Sequence, residues 1–293
     1  MSRDLVEVVE TIDVTSWHKP LGTGAADALE DGKVLFFPRL GFMLHESEQR
    51  FLSASHVDPK SKSISFDANT GDAKHALGTG ADVASIVAMM RRYYERARSL
   101  VAAILPSYAE ALTIGRTSFR PVEIRGRKTS PRKDDSRLHI DAFPSMPVGG
   151  RRILRVFSNV NPQQQDRLWR IGDDFANVAR RFVGSIPAPF WGSAWIMGKL
   201  GVTKGLRTPY DHAMLSIHDA MKLDGQYQQE VLQNELRLPA GSTWVAYTDQ
   251  VSHAATAGQH AFEQTFYVPI GAMVDESKAP LRILERLTGR HLV

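Results

Sequence analysis

A histidine and an aspartate stand two residues apart at His139 and Asp141, in the segment LHIDAFP. In an extended segment, residues i and i+2 project to the same face, so an imidazole and a carboxylate point together. Two histidines and one carboxylate on one face of an iron ion leave positions open for a cosubstrate and dioxygen. The pair therefore predicts half of a metal site, which a distant histidine must complete.

His253 is the best candidate for the third ligand, because it follows the predicted strand TWVAYTD and precedes a turn at Gly258 and another strand. His260 is the nearest alternative, but it lies at the start of that next strand. A three-residue motif alone arises by chance in many chains, and a lone His139 is more often structural than a ligand. The order of strand, turn and distal histidine nevertheless favours a metal site of His139, Asp141 and His253.

The chain has 293 residues, of which 43% are apolar and 23% charged, and it has no cysteine. This length and composition allow one globular domain with a substantial core. The lack of cysteine excludes disulfide scaffolds, iron–sulfur sites and thiol nucleophiles, and it is compatible with a reducing compartment. The first residues lack the apolar core of a secretory signal, so we expect a cytoplasmic protein.

Two β-rich blocks with a helical insert between them fit a jelly roll, a mainly β fold with flanking helices. Helical spacing predicts a helix from Asp82 to Leu105, and a helix-like stretch covers 167–182. Strand patterns occur at 117–124, 138–142 and 152–160. The predicted single domain has an N-terminal α/β part (1–116), a β core (117–162 and 235–270), a helical insert (163–234) and a C-terminal helix (277–288).

Other motifs in the sequence do not indicate a second metal site or another class of enzyme. His212 and His218 lie on a predicted helix with a spacing of six, which does not put both on one face, so a structural role is favoured over a second metal site. No nucleophile elbow, phosphate-binding loop or dinucleotide-binding glycine motif occurs, which argues against hydrolases, P-loop NTPases and dinucleotide enzymes.

Several phrases of the sequence resemble the double-stranded β-helix (cupin-like) fold of 2-oxoglutarate oxygenases, namely LHIDAFP, ILRVFSNVNP, LPAGSTWVAYTDQVSHAA and EQTFYVP. Over most of its length, including TPYDHAMLSIHDAMKLDGQYQQ, the chain is similar to the bacterial Kdo 3-hydroxylase family. That resemblance implies Fe(II), 2-oxoglutarate and dioxygen, and hydroxylation at C3 of the Kdo sugar in the lipopolysaccharide inner core (Kdo-lipid A). The alternatives are a 2-oxoglutarate hydroxylase for another anionic substrate and a non-catalytic glycan-binding jelly roll.

The anchor, meaning the residue that binds the far carboxylate of 2-oxoglutarate, departs in this chain from the commonest pattern of that superfamily. Many members place an arginine shortly after the distal histidine, where this chain has Glu263 and Gln264. Other branches use a basic residue on the strand after H-x-D, so we predict Arg155 as the anchor, since a guanidinium matches a carboxylate well. The alternative is that Arg155, in an otherwise apolar strand, pairs with a structural carboxylate. Ser136, Asn159 and Gln264 are further candidates for contacts with 2-oxoglutarate, although ordinary strand or turn polarity explains them equally well.

Basic residues are concentrated between Arg120 and Arg152, although the net charge is only +4. Such an excess indicates an anionic partner, with a solvated basic loop as the alternative. We predict that Arg125, Arg127 and Arg137 bind the anionic sugar of a lipid-linked lipopolysaccharide precursor, and we expect no nucleic acid.

An apolar, aromatic run at 182–198 suggests peripheral contact with the inner face of the inner membrane. For any single residue of this run, burial against the barrel is favoured, and the membrane contact is expected of the protein as a whole. The residues concerned are Phe182, Phe190, Trp191, Trp195 and Ile196. The oligomeric state stays open.

Overall fold

The structure is a computed structural model that describes residues 8–20, 24–127, 129–187 and 206–293. Within these ranges the strands are β1 (Val9–Thr11), β2 (Val34–Phe37), β3 (Ile64–Asp67), β4 (Ala73–Lys74), β5 (Thr113–Arg120), β6 (Arg152–Asn159), β7 (Arg167–Ile171), β8 (Asn234–Leu238), β9 (Thr243–Tyr247), β10 (His253–Ala257) and β11 (Ala261–Val268). The α-helices are α1 (Ala25–Glu30), α2 (Gly80–Ile104), α3 (Phe175–Phe182), α4 (Pro209–Leu223), α5 (Gly225–Glu230) and α6 (Pro280–Thr288).

The strands form two sheets of unequal size. The larger sheet has the order β1-β2-β9-β6-β11-β5-β3-β4, and the smaller has the order β10-β7-β8. All strand pairs are antiparallel except β1 with β2. The predicted fold class, mainly β with flanking helices, is confirmed, and the two sheets form no closed barrel within the described residues.

Helix α2 covers the outer face of the larger sheet. Its first turn is closed by a capping box, in which the Thr79 hydroxyl accepts from the Asp82 N–H and the Asp82 carboxylate accepts from the Thr79 N–H. The predicted helix is therefore confirmed, with Thr79 rather than Asp82 as its cap. Tyr93 on its apolar face donates a 3.1 Å hydrogen bond to the carbonyl of Val156 in β6, which fixes the helix on the sheet.

Between the two sheets, large aromatic side chains fill the core. Phe157 and Trp244 of the larger sheet stack with ring centroids 5.2 Å apart, and Trp169 of β7 meets both edge-on. Such interdigitation is typical of two packed sheets. Trp169 also stacks on His253 at 4.9 Å, so this core extends directly to the predicted metal ligands.

Two local predictions are wrong. Residues 167–171 form strand β7, not the start of a helix, and only Phe175–Phe182 is helical. The alternation of buried and half-buried residues in RLWRI gives the period of two that identifies a strand. In addition, the predicted strand 138–142 is only an isolated bridge, in which His139 pairs with His253.

The aromatic run that the sequence suggested for membrane contact begins at Phe182, which is buried and meets Tyr227 edge-on at 5.2 Å. Residues 188–198 of that run, which include Phe190, Trp191, Trp195 and Ile196, lie outside the described residues. Among the helices that are described, none is both long and apolar enough to cross a membrane.

Candidate metal centre and its cavity

His139, Asp141 and His253 come together as the sequence predicts, and all three are buried. One nitrogen or oxygen atom from each lies within 4.8 Å of the other two. The backbone places them: His139 and His253 exchange N–H to carbonyl hydrogen bonds of 3.0 and 2.9 Å, and the Asp141 N–H donates to the carbonyl of Thr248 at 2.7 Å. Backbone hydrogen bonds between the segment 139–141 and the segment 248–253 thus hold the three side chains together.

Each imidazole has its Nδ1 atom engaged with a backbone carbonyl. Nδ1 of His139 lies 2.8 Å from the Arg137 carbonyl, and Nδ1 of His253 lies 2.8 Å from the Val251 carbonyl. A carbonyl only accepts, so Nδ1 carries the proton in both rings and Nε2 keeps its lone pair. Burial lowers the pKa of both histidines, which favours the neutral form that metals bind.

Arg155 lies beside the carboxylate of this group. Its Nη1 atom is 3.2 Å from Asp141 Oδ2 and 3.1 Å from Glu263 Oε1. Asp141 Oδ2 is buried and accepts no aligned hydrogen bond, so its contact with Arg155 is electrostatic. Burial by itself raises the pKa of Asp141, but the Arg155 guanidinium beside it keeps the pKa below its ordinary value. Asp141 is therefore a carboxylate, and Arg155 is already shared between two anions.

A cavity of about 290 Å³ opens over these residues. Its lining has seven basic and three acidic side chains, so the cavity suits an anion. The basic residues are Lys62, Arg120, Arg132, Lys133, Arg155, Arg167 and Lys222, and the acidic ones are Asp135, Asp141 and Glu263.

Most of those cations have a partner within the protein. Lys62 lies 2.6 Å from Asp135, Arg120 lies 2.9 Å from Glu263, and Arg132 of the rim lies 3.0 Å from Asp219. These ion pairs offset much of the positive charge of the wall, so a ligand anion must be bound by the cations that remain less compensated.

Arg167 is such a cation. Only 4% of it is exposed, and no carboxylate of the described residues lies within salt-bridge distance of its guanidinium. It donates one long hydrogen bond, 3.3 Å, to the carbonyl of Gly258, and its Nε has no partner. Burial lowers its pKa to about 10. A buried cation in this situation is stabilised by an incoming anion.

The structure does not bring the other predicted cosubstrate residues to the cavity. The Ser136 hydroxyl donates to Asp134 at 2.6 Å, and Asn159 is occupied by the carbonyls of Gln165 and Leu238. The side chain of Gln264 lies on the opposite face of β11, where it bonds Thr117. The proposed contacts of Ser136, Asn159 and Gln264 with 2-oxoglutarate stay predictions that this geometry does not support.

Arg125, Arg127 and Arg137, predicted to bind the substrate, do not line the cavity. Arg125 is exposed in a turn, and Arg137 donates to the Lys222 carbonyl at 2.8 Å. Arg132 and Lys133 of the same basic segment form part of the rim instead.

His260, the alternative third ligand, lies outside the three-residue group. It occupies the turn before β11 with a φ of 57°, and its Nε2 contacts Gln259. The geometry therefore favours His253 over His260.

Sequence reasoning missed several residues of the cavity. Trp169 and Arg167 come from β7, where the sequence suggested a helix, and Lys62 comes from a loop distant in the chain. His218, for which a structural role was favoured, lines the cavity with its ring 5.6 Å from that of His139. The sequence RLWRI does not itself alternate between polar and apolar residues, and the period of two appears only in the burial of its side chains.

Comparisons with known proteins agree with this geometry. The family model for 3-deoxy-D-manno-oct-2-ulosonic acid (Kdo) hydroxylase matches residues 15–291. A crystal structure of the Kdo hydroxylase KdoO, a non-haem Fe(II) α-ketoglutarate-dependent dioxygenase in complex with α-ketoglutarate and Fe(III), is 43% identical with a TM-score of 0.94, covering 98% of this chain and 97% of that one.

A cobalt(II) complex of KdoO also has a TM-score of 0.94, at 43% identity and 97% coverage of both chains. Among curated proteins, none matches this chain.

Proposed function

The chain belongs to the Kdo hydroxylase family, and from this we propose that it is an Fe(II)- and 2-oxoglutarate-dependent dioxygenase that hydroxylates C3 of the Kdo sugar in the lipopolysaccharide inner core, with Kdo-lipid A as acceptor. The observation that carries the proposal is the buried group of His139, Asp141 and His253 at the wall of a basic cavity. A neutral sugar would gain nothing from such a cavity, whereas a sugar acid matches its charge.

The residues present fit the implied metal. Two imidazoles with free Nε2 atoms and a carboxylate oxygen without a hydrogen bond are the donor set of the two-histidine, one-carboxylate iron sites. When bound there, iron supplies oxidation of an unactivated C–H bond, with 2-oxoglutarate and dioxygen consumed. The protein's part is to orient the ligands through the carbonyls of Arg137 and Val251 and to aim one C–H bond of the sugar.

Arg167 is the residue that we propose as the anchor for the far carboxylate of 2-oxoglutarate. Arg155, predicted from the sequence, is balanced by Asp141 and Glu263, whereas Arg167 has no carboxylate partner among the described residues. A bidentate contact with a carboxylate would satisfy its free Nε and compensate its buried charge. Arg155 then acts on Asp141, whose carboxylate form it stabilises.

Two aromatic side chains form part of the wall beside the metal ligands. Trp169 stacks on His253, while Phe143 lies under the Arg155 guanidinium at 5.3 Å. Both residues line the cavity, so a bound ligand would meet aromatic walls as well as cations. This combination suits a sugar acid, which has apolar C–H faces and a carboxylate.

The proposal is tested with purified protein, Fe(II), 2-oxoglutarate and Kdo-lipid A. We expect succinate formation that depends on both iron and acceptor, together with a mass gain of one oxygen atom in the acceptor. His139→Ala and Asp141→Ala should abolish both signals, because each removes a proposed iron ligand. A protein that binds the glycan but forms no succinate would be the non-catalytic jelly roll instead.

The lipid-linked acceptor also motivates the proposal that the protein works in the cytoplasm, in peripheral contact with the inner face of the inner membrane. Co-sedimentation with vesicles that contain Kdo-lipid A, compared with vesicles of the same charge without it, tests this contact. Equal sedimentation with both would indicate attraction to charge alone, and no sedimentation with either would contradict the proposal.

A further inference from the structure

A polar groove lies beside the metal-binding cavity, over a part of the larger sheet that the smaller sheet does not cover. The groove has a volume of about 360 Å³, and its walls are the inner faces of β3, β5 and β11 and the loop 143–146. Residues of β7, β8 and β10 do not contribute to its lining. It shares Lys62, Arg120, Phe143, Arg155 and Glu263 with the cavity, so the two spaces adjoin one another.

The side chains of this face are not those of a sandwich core. Ile64 of β3 and Phe119 of β5 face α2 in the apolar core, while Ser65 and Ser118 face the groove opposite one another. Thr265 of β11 lies nearby, and none of these three hydroxyls takes part in a side-chain hydrogen bond with any described residue. Since no strand of the smaller sheet packs on this face, its free hydroxyls are available to hydrogen-bond a polar ligand.

Arg116 supplies the charge at the far end of the groove. It lies opposite Asp67 in the β3–β5 register, and its Nη2 is 3.3 Å from Asp67 Oδ2. Its Nη1 is buried without a hydrogen-bond partner, but the side chain as a whole is 27% exposed and lines the groove. Asp67 therefore holds the guanidinium in place, and its exposed part is available to an anion in the groove.

We infer that this groove binds the sugar unit adjacent to the one that is hydroxylated, with Ser65, Ser118 and Thr265 contacting its hydroxyls and Arg116 contacting its anionic substituent. The inference rests on the proposed function and adds a second saccharide subsite to it. The anionic substituent is a carboxylate on a second sugar acid or a phosphate on a neighbouring amino sugar. Both are oxyanions that a guanidinium binds in the same way.

The test compares three acceptors: a methyl glycoside of the single sugar acid, a disaccharide with a carboxylated neighbour and a disaccharide with a phosphorylated neighbour. For Arg116→Gln we expect the ratio of kcat/KM, disaccharide over methyl glycoside, to fall about tenfold, mainly through KM, for one of the two disaccharides. That disaccharide identifies the anion. Ser118→Val, which keeps strand propensity, should lower the same ratio by removing a hydroxyl.

Arg237→Gln is the matched control, because Arg237 also forms ion pairs on a strand but lies on β8, away from the groove. It should leave the ratio at the wild-type value. If Arg116→Gln and Ser118→Val reduce turnover of all three acceptors equally, or change no ratio, the subsite is refuted. Unfolding temperatures of all variants show whether an equal loss comes from misfolding.

Direct binding separates this inference from the proposed function. Calorimetric titration of each disaccharide into metal-free protein measures affinity without turnover. If the wild-type protein binds a disaccharide and Arg116→Gln weakens that binding about tenfold while no acceptor is hydroxylated, the groove stands and the proposed function fails. If turnover occurs but binding is the same in both proteins, the groove fails and the function stands.

Discussion

At the scale of single residues, the candidate metal centre depends on which ring nitrogen of each histidine is engaged. In both His139 and His253 the Nδ1 atom contacts a carbonyl two residues earlier in the chain. The same local contact thus fixes the tautomer and the ring orientation of both proposed ligands. His260 has no such contact, since its Nδ1 is buried without a partner.

The first prediction concerns the third ligand. His253→Ala should weaken binding of Fe(II) or Co(II) by more than about 100-fold, because loss of a ligand exceeds the effect of losing a supporting contact. His260→Ala should keep an affinity close to that of the wild type. Calorimetry or the Co(II) absorption spectrum measures both. Normal metal affinity in His253→Ala, with loss in His260→Ala, would exchange the two assignments.

The second prediction concerns the two candidate anchors. Arg167→Ala should raise the KM for 2-oxoglutarate at least about 30-fold, because truncating one partner of a buried, hydrogen-bonded charge pair costs about 2–5 kcal/mol. Arg155→Ala should change the affinity for the metal more than the KM for 2-oxoglutarate. The reason is that it leaves Asp141 and Glu263 close together without the cation that they share. Steady-state kinetics and metal titration separate the effects. The opposite order of the two variants would return the anchor role to Arg155.

The sequence predicted the ligands better than the cosubstrate residues, for a physical reason. His139 and Asp141 share a face through the local period of two, which needs no knowledge of the rest of the fold. Which face of β6 or β11 points inward depends on strand register and sheet packing, and Gln264 lies on the outer face for that reason. Arg167 was missed because its strand resembled the start of the helix that follows.

At the scale of elements, strand β7 packs closely against the turn between β10 and β11, and the contact is made at Gly258. A Cβ at Gly258 would lie 2.9 Å from Arg167 Cα, and the glycine has a φ of +110°. Its N–H also donates to Glu123 at 2.7 Å, while its carbonyl accepts from Arg167. The close approach of this turn therefore determines where the proposed anchor lies.

The third prediction follows from that contact. Gly258→Ala should destabilise the protein by about 1–3 kcal/mol through steric overlap and backbone strain. It should also raise the KM for 2-oxoglutarate, because β7 must shift at Arg167. Gly289→Ala is the control: its φ is +63°, but no atom lies within 4 Å of the added Cβ, so it should lose stability without a change in KM. A normal KM in Gly258→Ala would show that this turn does not position the anchor.

At the scale of the whole molecule, the unequal sheets explain why one site has both a deep and a shallow part. The smaller sheet covers β6 and β9, where Phe157, Trp169 and Trp244 form an apolar core beside the metal ligands. Beyond it, β3 and β5 present hydroxyls and charges to an open groove. Composition and strand patterns predicted the jelly-roll class, which is confirmed, but the extent of cover depends on strand lengths and register that no local pattern encodes.

The proposed activity of the protein is hydroxylation of a Kdo sugar, with 2-oxoglutarate consumed as cosubstrate. Its most direct test is turnover of Kdo-lipid A under isotopically labelled dioxygen, with the products analysed by mass spectrometry and the modified carbon located by NMR. We predict one added oxygen atom at C3 of the sugar, derived from dioxygen, with one succinate formed per hydroxylated sugar and neither product after iron is chelated. Succinate without sugar oxidation, or an added oxygen that derives only from solvent, would contradict this account.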